Sequence, residues 1–240
     1  MISFRKRLSL SGIDRRATPR AFSPREDVMA QFPIGASHAP ARDLVVLAGS
    51  AGGMDALHVI LGALPADFSG AIAVVQHRMA SHGGLLGELL RTWTDLEVRD
   101  ACEGDVLTAG TVFIAPPDLH MSVTAAGTIS LMAGGAIHHV LSSADPLFAS
   151  AAVAYGERLT AVVLTGGDGD GSAGVRSVRL EGGVVIAQHP DTAACPDMPR
   201  SAIATGMVDW VLPLHEIADV LVRRTNGSLD SGRERPVGAP

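Results

Sequence analysis

The chain has 240 residues, of which 47% are hydrophobic and 18% charged, and its formal net charge is -6 at pH 7. This length and apolar content suit a single α/β domain with a sizeable core and exclude a chain that is disordered throughout. The acidic balance does not favour a nucleic-acid partner, and no apolar run reaches the roughly 18–20 residues that a membrane-spanning helix needs.

The first 42 residues differ in composition from the rest of the chain and predict a flexible basic tail. Their basic residues stand among prolines and serines, without the apolar segment that a secretory signal requires. Acidic residues at 14, 26 and 27 also argue against an Arg-rich transit peptide. The polar composition of residues 225–240 predicts a second flexible tail, so the predicted folded domain spans 43–224.

Within 43–224, short apolar runs alternate with segments of helical periodicity. The predicted strands are 43–49, 71–76, 160–166, 183–188 and the start of 209–224, and the predicted helices are 54–64, 84–93, 146–159, 172–182, 199–206 and the end of 209–224. Asp145 is expected to cap the helix at 146–159. This alternation predicts an α/β fold, a doubly wound, mostly parallel sheet with helices on both faces. Short β-like segments separated by turns predict a small antiparallel β insert near 97–132.

Three predicted strand ends carry groups that suit nucleophilic catalysis. Ser50 follows the first strand, His77 the second, and Asp168 and Asp170 follow the strand at 160–166. The carboxyl ends of parallel strands meet at one edge of a sheet, so these side chains converge there. A serine hydroxyl needs an imidazole to take its proton, and the imidazole needs a carboxylate to orient it. The Ala51 amide, at the start of a helix, is placed to stabilise an oxyanion.

Each residue also has an interpretation without catalysis. In AGSAGG, Ser50 is also compatible with a helix N-cap or a phosphate-binding turn, although the spacing is neither GxGxxG nor that of a P-loop. His77 alone is compatible with a structural histidine, and GGDGDGS with a plain or calcium-binding turn. The calcium-loop pattern fails at its twelfth position, where Arg179 stands. We read the vicinal pair His138-His139 as a loop, the two cysteines as free thiols, and expect no metal or cofactor.

Taken together and in order, the segments resemble the catalytic domain of the chemotaxis protein-glutamate methylesterases of the CheB type. LAGSAGG resembles the family's Gly-Ala-Ser-Thr-Gly-Gly turn, which carries the nucleophile, and VVQH resembles the strand that ends in the catalytic histidine. VVLTGGDGDGSAGV resembles the Leu-Thr-Gly-Met-Gly-x-Asp-Gly-x-x-Gly segment, which carries the catalytic aspartate, and MPRSAIATG resembles the closing motif. The resemblance implies Ser50 as nucleophile, His77 as general base and Asp170 as the carboxylate that orients it.

The sequence departs from the family pattern at several positions. Ala51 replaces the threonine after the nucleophile, and Gly167 replaces a methionine at a position associated with the oxyanion hole. Leu141 and Ser142 replace an Arg-Pro pair, which bears on substrate recognition. The typical member has a receiver domain ahead of the catalytic domain, and about 42 residues are too few for one. We therefore expect a stand-alone enzyme that either lacks intrinsic control by phosphorylation or takes its control from a separate regulatory partner.

The resemblance implies a cytoplasmic serine hydrolase that demethylates glutamate methyl esters, and deamidates glutamines, on the cytoplasmic helices of chemoreceptors. It implies an acyl-enzyme and no membrane insertion. Two other functions stay open, namely an esterase of the same fold with another ester substrate, and a non-catalytic regulatory or binding module.

Overall fold

The computed structural model describes residues 39–77, 85–133 and 142–229. Most of both predicted tails, the pair His138-His139 and Leu141 lie outside the described residues. In the described ranges, no helix combines the length and hydropathy needed to cross a membrane.

In the described residues, nine strands form two sheets. The strands are β1 (Leu44–Gly49), β2 (Ala71–Gln76), β3 (Glu97–Asp100), β4 (Thr111–Ile114), β5 (Leu119–Val123), β6 (Ile129–Ala133), β7 (Leu159–Val163), β8 (Val184–Gln188) and β9 (Trp210–Leu212). Seven of them make a parallel sheet in the order β3-β4-β2-β1-β7-β8-β9. The chain winds from β1 towards β3 and then from β7 towards β9, so the direction reverses between β1 and β7. This confirms the predicted doubly wound fold, in which ligands bind at the reversal point.

The part of the chain that the structure describes has six α-helices, which cover the two faces of the parallel sheet. They are α1 (Gly53–Ala63), α2 (Leu85–Arg91), α3 (Ala144–Tyr155), α4 (Ser172–Leu180), α5 (Asp197–Ala204) and α6 (Ile217–Thr225). Side chains of α1, α2 and α6 form one core cluster, and those of α3, α4 and α5 form the other. Consecutive residues of β1 alternate between the clusters, with Val45 and Leu47 in one and Val46 and Ala48 in the other. Burial on both faces explains why this strand reads as a continuous apolar run.

The antiparallel part of the fold is smaller than the predicted insert. β5 and β6 pair antiparallel, which confirms a small antiparallel sheet, whereas β3 and β4 join the parallel sheet. Alternation of apolar and polar residues reports which side of a strand is buried and does not report the direction of its neighbour. The sequence pattern therefore located β4 but assigned it to the wrong sheet, and it placed the residues of β3 in the antiparallel insert without identifying the strand.

The N-terminus of α3 also differs from the prediction. Ser143, and not Asp145, is the N-cap, and its hydroxyl accepts a hydrogen bond from the Asp145 amide at 3.3 Å. The Asp145 carboxylate instead accepts a hydrogen bond from the Gly174 amide of α4 at 2.7 Å. Asp145 thus ties α3 to α4, and Ser143 is left at the edge of the sheet where the predicted triad lies.

Candidate active site

Ser50 and His77 occupy equivalent places at the carboxyl ends of adjacent strands. Gly49 of β1 faces Gln76 of β2, so Ser50 and His77 are the next residues on each strand. The His77 amide continues the pairing by donating to the Gly49 carbonyl at 2.9 Å. Because neighbouring strands lie about 4.8 Å apart, the serine and histidine backbones are close neighbours.

The turn after β1 presents Ser50 ahead of α1 without using its side chain as a cap. The N-cap of α1 is Gly52, at φ 78°, and no side chain caps the helix by a hydrogen bond. The interpretation of Ser50 as a helix N-cap is therefore wrong. A glycine is required at position 52, since a Cβ there would strain the backbone and lie 2.7 Å from the Ala194 Cβ.

Gly166 packs so closely against Ser50 that a side chain would not fit there. A Cβ at Gly166 would lie 2.9 Å from the Ser50 Cβ and would overlap the side chain of Met198. The Met198 amide donates to the Gly166 carbonyl at 3.0 Å, and the Gly166 amide donates to the Cys195 carbonyl at 2.8 Å. These contacts hold the start of α5 beside the serine.

Asp170, in the loop after β7, is fully buried and binds the histidine. Its Oδ2 lies 2.8 Å from His77 Nε2 and accepts the Ala144 amide at 2.6 Å, and its Oδ1 accepts the Ser143 hydroxyl at 2.5 Å. Burial alone would raise the pKa of Asp170, but the hydrogen bonds from His77, Ala144 and Ser143 outweigh it and hold the pKa below its ordinary value. An ionised carboxylate with fixed neighbours can orient the imidazole and stabilise its cation.

The other ring nitrogen of His77, Nδ1, lies beside a second carboxylate. Nδ1 is buried and has no hydrogen-bond partner among the described residues, so no hydrogen bond joins it to Ser50 Oγ. Asp168 Oδ2 lies 3.4 Å from Nδ1. This contact is close enough for electrostatic attraction, but its geometry is not that of a hydrogen bond. The structure thus brings both predicted acidic residues to the histidine, one on each ring nitrogen.

Two backbone amides at this edge are available to a ligand. In the described part of the chain, neither the Ala51 nor the Gly167 amide donates to a protein acceptor. Gly167 is exposed, and a Cβ there would meet no atom within 4 Å. Amide groups of this kind beside a serine suit the negative oxygen that forms during acyl transfer.

Sequence reasoning missed two residues that hold the site together. The buried side chain of Gln76 donates from Nε2 to the carbonyl oxygens of Ser50 at 2.7 Å and His77 at 3.2 Å. Ser143 supplies a hydroxyl to Asp170. The signal for Ser143 was present, because a serine ahead of a helical pattern is an N-cap signal. No sequence signal marked Gln76, whose function depends on the close approach of two turns.

Candidate metal ligands do not cluster in the described ranges. No group of three or more His, Cys, Asp or Glu side chains there is arranged to hold a metal ion. At the reversal point, the described residues place a serine hydroxyl, an imidazole, two carboxylates and two backbone amides at the same edge of the sheet.

Comparison with known proteins gives a consistent set of relatives. The family model described as CheB methylesterase matches residues 45–221. A protein-glutamate methylesterase/protein-glutamine glutaminase of Pyrococcus horikoshii is 38% identical over 187 residues, which cover 77% of this chain and 51% of the relative. A putative enzyme of the same description from Leptospira interrogans is 34% identical, with 78% of this chain and 97% of the relative covered.

A solved structure agrees with these relatives. The crystal structure of the Thermotoga maritima CheB methylesterase catalytic domain matches with a TM-score of 0.73 and 34% identity, covering 75% of this chain and 97% of that one. The chain spans about half the length of several curated relatives that it matches, including the two from Pyrococcus species.

Proposed function

The chain belongs to the CheB methylesterase family, and we propose that it hydrolyses the γ-methyl esters of glutamate side chains on chemoreceptors and deamidates glutamines there. The names of its relatives support both reactions. The observation that carries the proposal is the His77–Asp170 pair, at 2.8 Å, beside Ser50 at the reversal point of the sheet.

In the proposed mechanism, Ser50 is the nucleophile, His77 the general base and Asp170 the carboxylate that orients the ring. Because Asp170 occupies Nε2, the proton of Ser50 moves to Nδ1 as Oγ attacks the ester carbonyl. The Ala51 and Gly167 amides donate to the oxyanion of the tetrahedral intermediate. Collapse of the intermediate breaks the bond to the methoxy oxygen, which takes the proton from Nδ1 and leaves as methanol.

The second half of the reaction regenerates the serine. Water gives a proton to Nδ1 and adds to the acyl-enzyme carbonyl, and collapse returns that proton to Ser50 Oγ and releases glutamate. With a glutamine substrate the same steps release ammonia in place of methanol. We further propose that residues 43–224 are the catalytic domain, that the chain acts in the cytoplasm on receptor helices, and that a separate partner regulates it.

The test is methanol release from methylated chemoreceptor by the wild type and by Ser50→Ala. We expect the substitution to lower the rate by at least about a thousandfold, since the nucleophile is lost while the fold is kept. Ser69→Ala is the matched control, because Ser69 lies before β2 at the opposite edge and its hydroxyl lies within hydrogen-bond distance of Thr225 and Asn226 at the end of α6. It should leave the rate unchanged.

Two other outcomes would favour the alternatives. Ser50-dependent cleavage of small esters without action on receptors would identify an esterase with a different substrate. A wild type that is inactive on both substrates would indicate a regulatory or binding module.

A further inference from the structure

Thr165 has a buried hydroxyl at the edge of the site, and the proposed mechanism gives it no function. It follows β7 by two residues, ahead of the loop that carries Asp170, and it is 1% exposed. A buried hydroxyl needs hydrogen-bond partners. Those of Thr165 belong to two separate segments, the turn after β1 that contains Ser50 and the segment before α5 that contains Cys195.

The Thr165 hydroxyl joins these two segments. Its Oγ1 donates to the Ala51 carbonyl at 2.9 Å and accepts the Cys195 amide at 2.8 Å. The Cys195 carbonyl lies 3.2 Å from the same oxygen, but it already accepts the Gly166 amide at 2.8 Å. Because a hydroxyl has a single proton to donate, we assign that proton to the shorter contact. One side chain thus ties the turn after β1 to the segment before α5.

The turn after β1 sets the direction of the Ala51 amide. That amide and the Ser50 carbonyl belong to one peptide unit, in which they point in opposite directions. The Ser50 carbonyl accepts the Gly53 amide at 2.8 Å and Gln76 Nε2 at 2.7 Å. The Ala51 carbonyl belongs to the next peptide unit, which Thr165 holds. Hydrogen bonds therefore fix the peptide units on both sides of Ala51.

The segment before α5 sets the direction of the Gly167 amide in the same way. That amide shares a peptide unit with the Gly166 carbonyl, which accepts the Met198 amide at 3.0 Å. The Gly166 amide donates to the Cys195 carbonyl, and Cys195 is the residue that Thr165 holds from the other side. The positions of the two amides of the proposed oxyanion hole therefore depend on segments that meet at one hydroxyl.

We propose that the Thr165 hydroxyl sets the spacing between the Ala51 and Gly167 amides, by joining the turn that directs one to the segment that directs the other. Donors already held at the right separation stabilise an oxyanion best, because they need no rearrangement as its charge develops. Thr165 is a positioning residue, since it acts through these backbone groups. The inference rests on the proposed function for its effect on rate, but the hydrogen bonds themselves do not require a substrate.

The test compares Thr165→Val, which keeps the shape of the side chain without its hydroxyl, with Thr165→Ser, which keeps the hydroxyl. The first measurement is hydrogen exchange of the Gly53 and Met198 amides. These amides bond to the Ser50 and Gly166 carbonyls and not to Thr165 itself. Both exchange rates should rise about fivefold in Thr165→Val, the effect of one lost hydrogen bond, and stay at the wild-type values in Thr165→Ser.

The second measurement is hydrolysis of a small methyl ester. We expect kcat to fall about tenfold in Thr165→Val while KM stays near its wild-type value, because displaced donors weaken binding of the transition state more than binding of the substrate. Thr165→Ser should keep the wild-type kcat. Thr160→Val is the matched control, because Thr160 is a buried threonine at the other end of β7, where its hydroxyl accepts Arg224 Nε at 3.2 Å. It should change neither kcat nor the two exchange rates.

Wild-type exchange or wild-type kcat in Thr165→Val would overturn the proposal, as would equal losses in Thr160→Val. Should Thr165→Val fail to fold, Thr165→Ser decides the matter. Wild-type exchange and kcat in that variant support the hydroxyl, and a loss as large as the one expected for valine overturns it. The expected exchange pattern in a protein that is inactive on both receptors and small esters would support the spacing by Thr165 and refute the proposed function.

Discussion

At the scale of single residues, the Gln76 side chain joins the backbone of the proposed nucleophile to that of the proposed base. Both of its Nε2 contacts are carbonyl oxygens, so the nitrogen and not the oxygen of the amide must face them. Gly53 leaves the room for this arrangement, because any Cβ there would overlap the Gln76 amide. The amide therefore links the two turns by a hydrogen bond to each.

Gln76→Leu is expected to lower kcat by about ten- to a hundredfold, because small displacements of reacting groups are costly. It should also lower the free energy of unfolding by about 2 kcal/mol, for two lost hydrogen bonds. The measurements are steady-state kinetics and urea unfolding.

Asp209→Asn provides the control for stability alone. Asp209 accepts the Val185 amide at 2.8 Å at the opposite edge of the sheet and pairs with Arg179 at 3.2 Å. It should lose stability and keep kcat. Equal loss of kcat in the two variants would mean that Gln76 acts only through stability.

Ser50 and His77 were accessible from sequence because each directly follows a buried strand, and Asp170 because it lies in the loop after one. Their convergence needed only the rule that parallel strands end at one edge. The second carboxylate contact was not accessible, because the distance of Asp168 from Nδ1 depends on how a glycine-rich loop turns. The pattern of residue types does not specify the backbone angles of that loop.

At the scale of elements, the N-terminus of α3 is part of the site and not only of the core. Ser143 and Ala144 donate to opposite oxygens of Asp170, while Ser143 also caps the helix. The partial positive charge of a helix N-terminus favours a carboxylate there. Docking of α3 and orientation of Asp170 are consequently one event.

Ser143→Ala is expected to cost about 1–2 kcal/mol of stability, for a lost cap and a lost hydrogen bond to a charged group. Because Asp170 loses a partner that fixes it, kcat should fall severalfold while KM stays near its wild-type value. The measurements are thermal unfolding and ester hydrolysis.

Ser150→Ala on the same helix is the comparison for Ser143→Ala. Ser150 accepts the Val123 amide of β5 at 2.9 Å and lies away from Asp170. We expect a similar loss of stability with kcat unchanged. If Ser143→Ala also leaves kcat unchanged, Ser143 serves the helix and not the carboxylate.

Element boundaries were predicted within a few residues wherever a strand is buried on both faces. The cap of α3 was misassigned because Ser143 and Asp145 are both good caps, and the choice depends on Gly174, which lies in another helix. Likewise the sequence of β3, in which Val98 is the one buried residue, does not specify the strand with which β3 pairs. Long-range packing therefore determines both the N-cap of α3 and the pairing of β3.

At the scale of the whole molecule, stability in acid should depend on the site. The pKa of Asp170 is held below its ordinary value of 3.8, so its stabilising contribution is complete above that pH and is lost as the pH falls through the lower folded value. Replacing Asp170 by Asn should therefore reduce the loss of stability between about pH 5 and pH 2, measured by urea unfolding.

The pKa of Asp43 is shifted in the opposite direction to that of Asp170. Burial raises the pKa of Asp43, although Arg42, Arg158 and Arg224 partly offset the rise. Its protonation on acidification favours the folded state, so Asp43→Asn should make the loss of stability in acid steeper. The same direction of change in both variants would contradict the assignment of charge to Asp170.

The winding of the sheet also has a consequence for synthesis on the ribosome. β1 pairs with β2 on one side and with β7 on the other, and more than 100 residues separate β1 from β7 in the chain. A nascent chain that has emerged only as far as β4 therefore holds β1 with one edge unpaired, which is a hazard for association with other chains. It also contains the serine and the histidine without the aspartate. Only when β7 and its loop emerge is this edge of β1 paired, and the same step brings the aspartate of the proposed triad to the serine and the histidine.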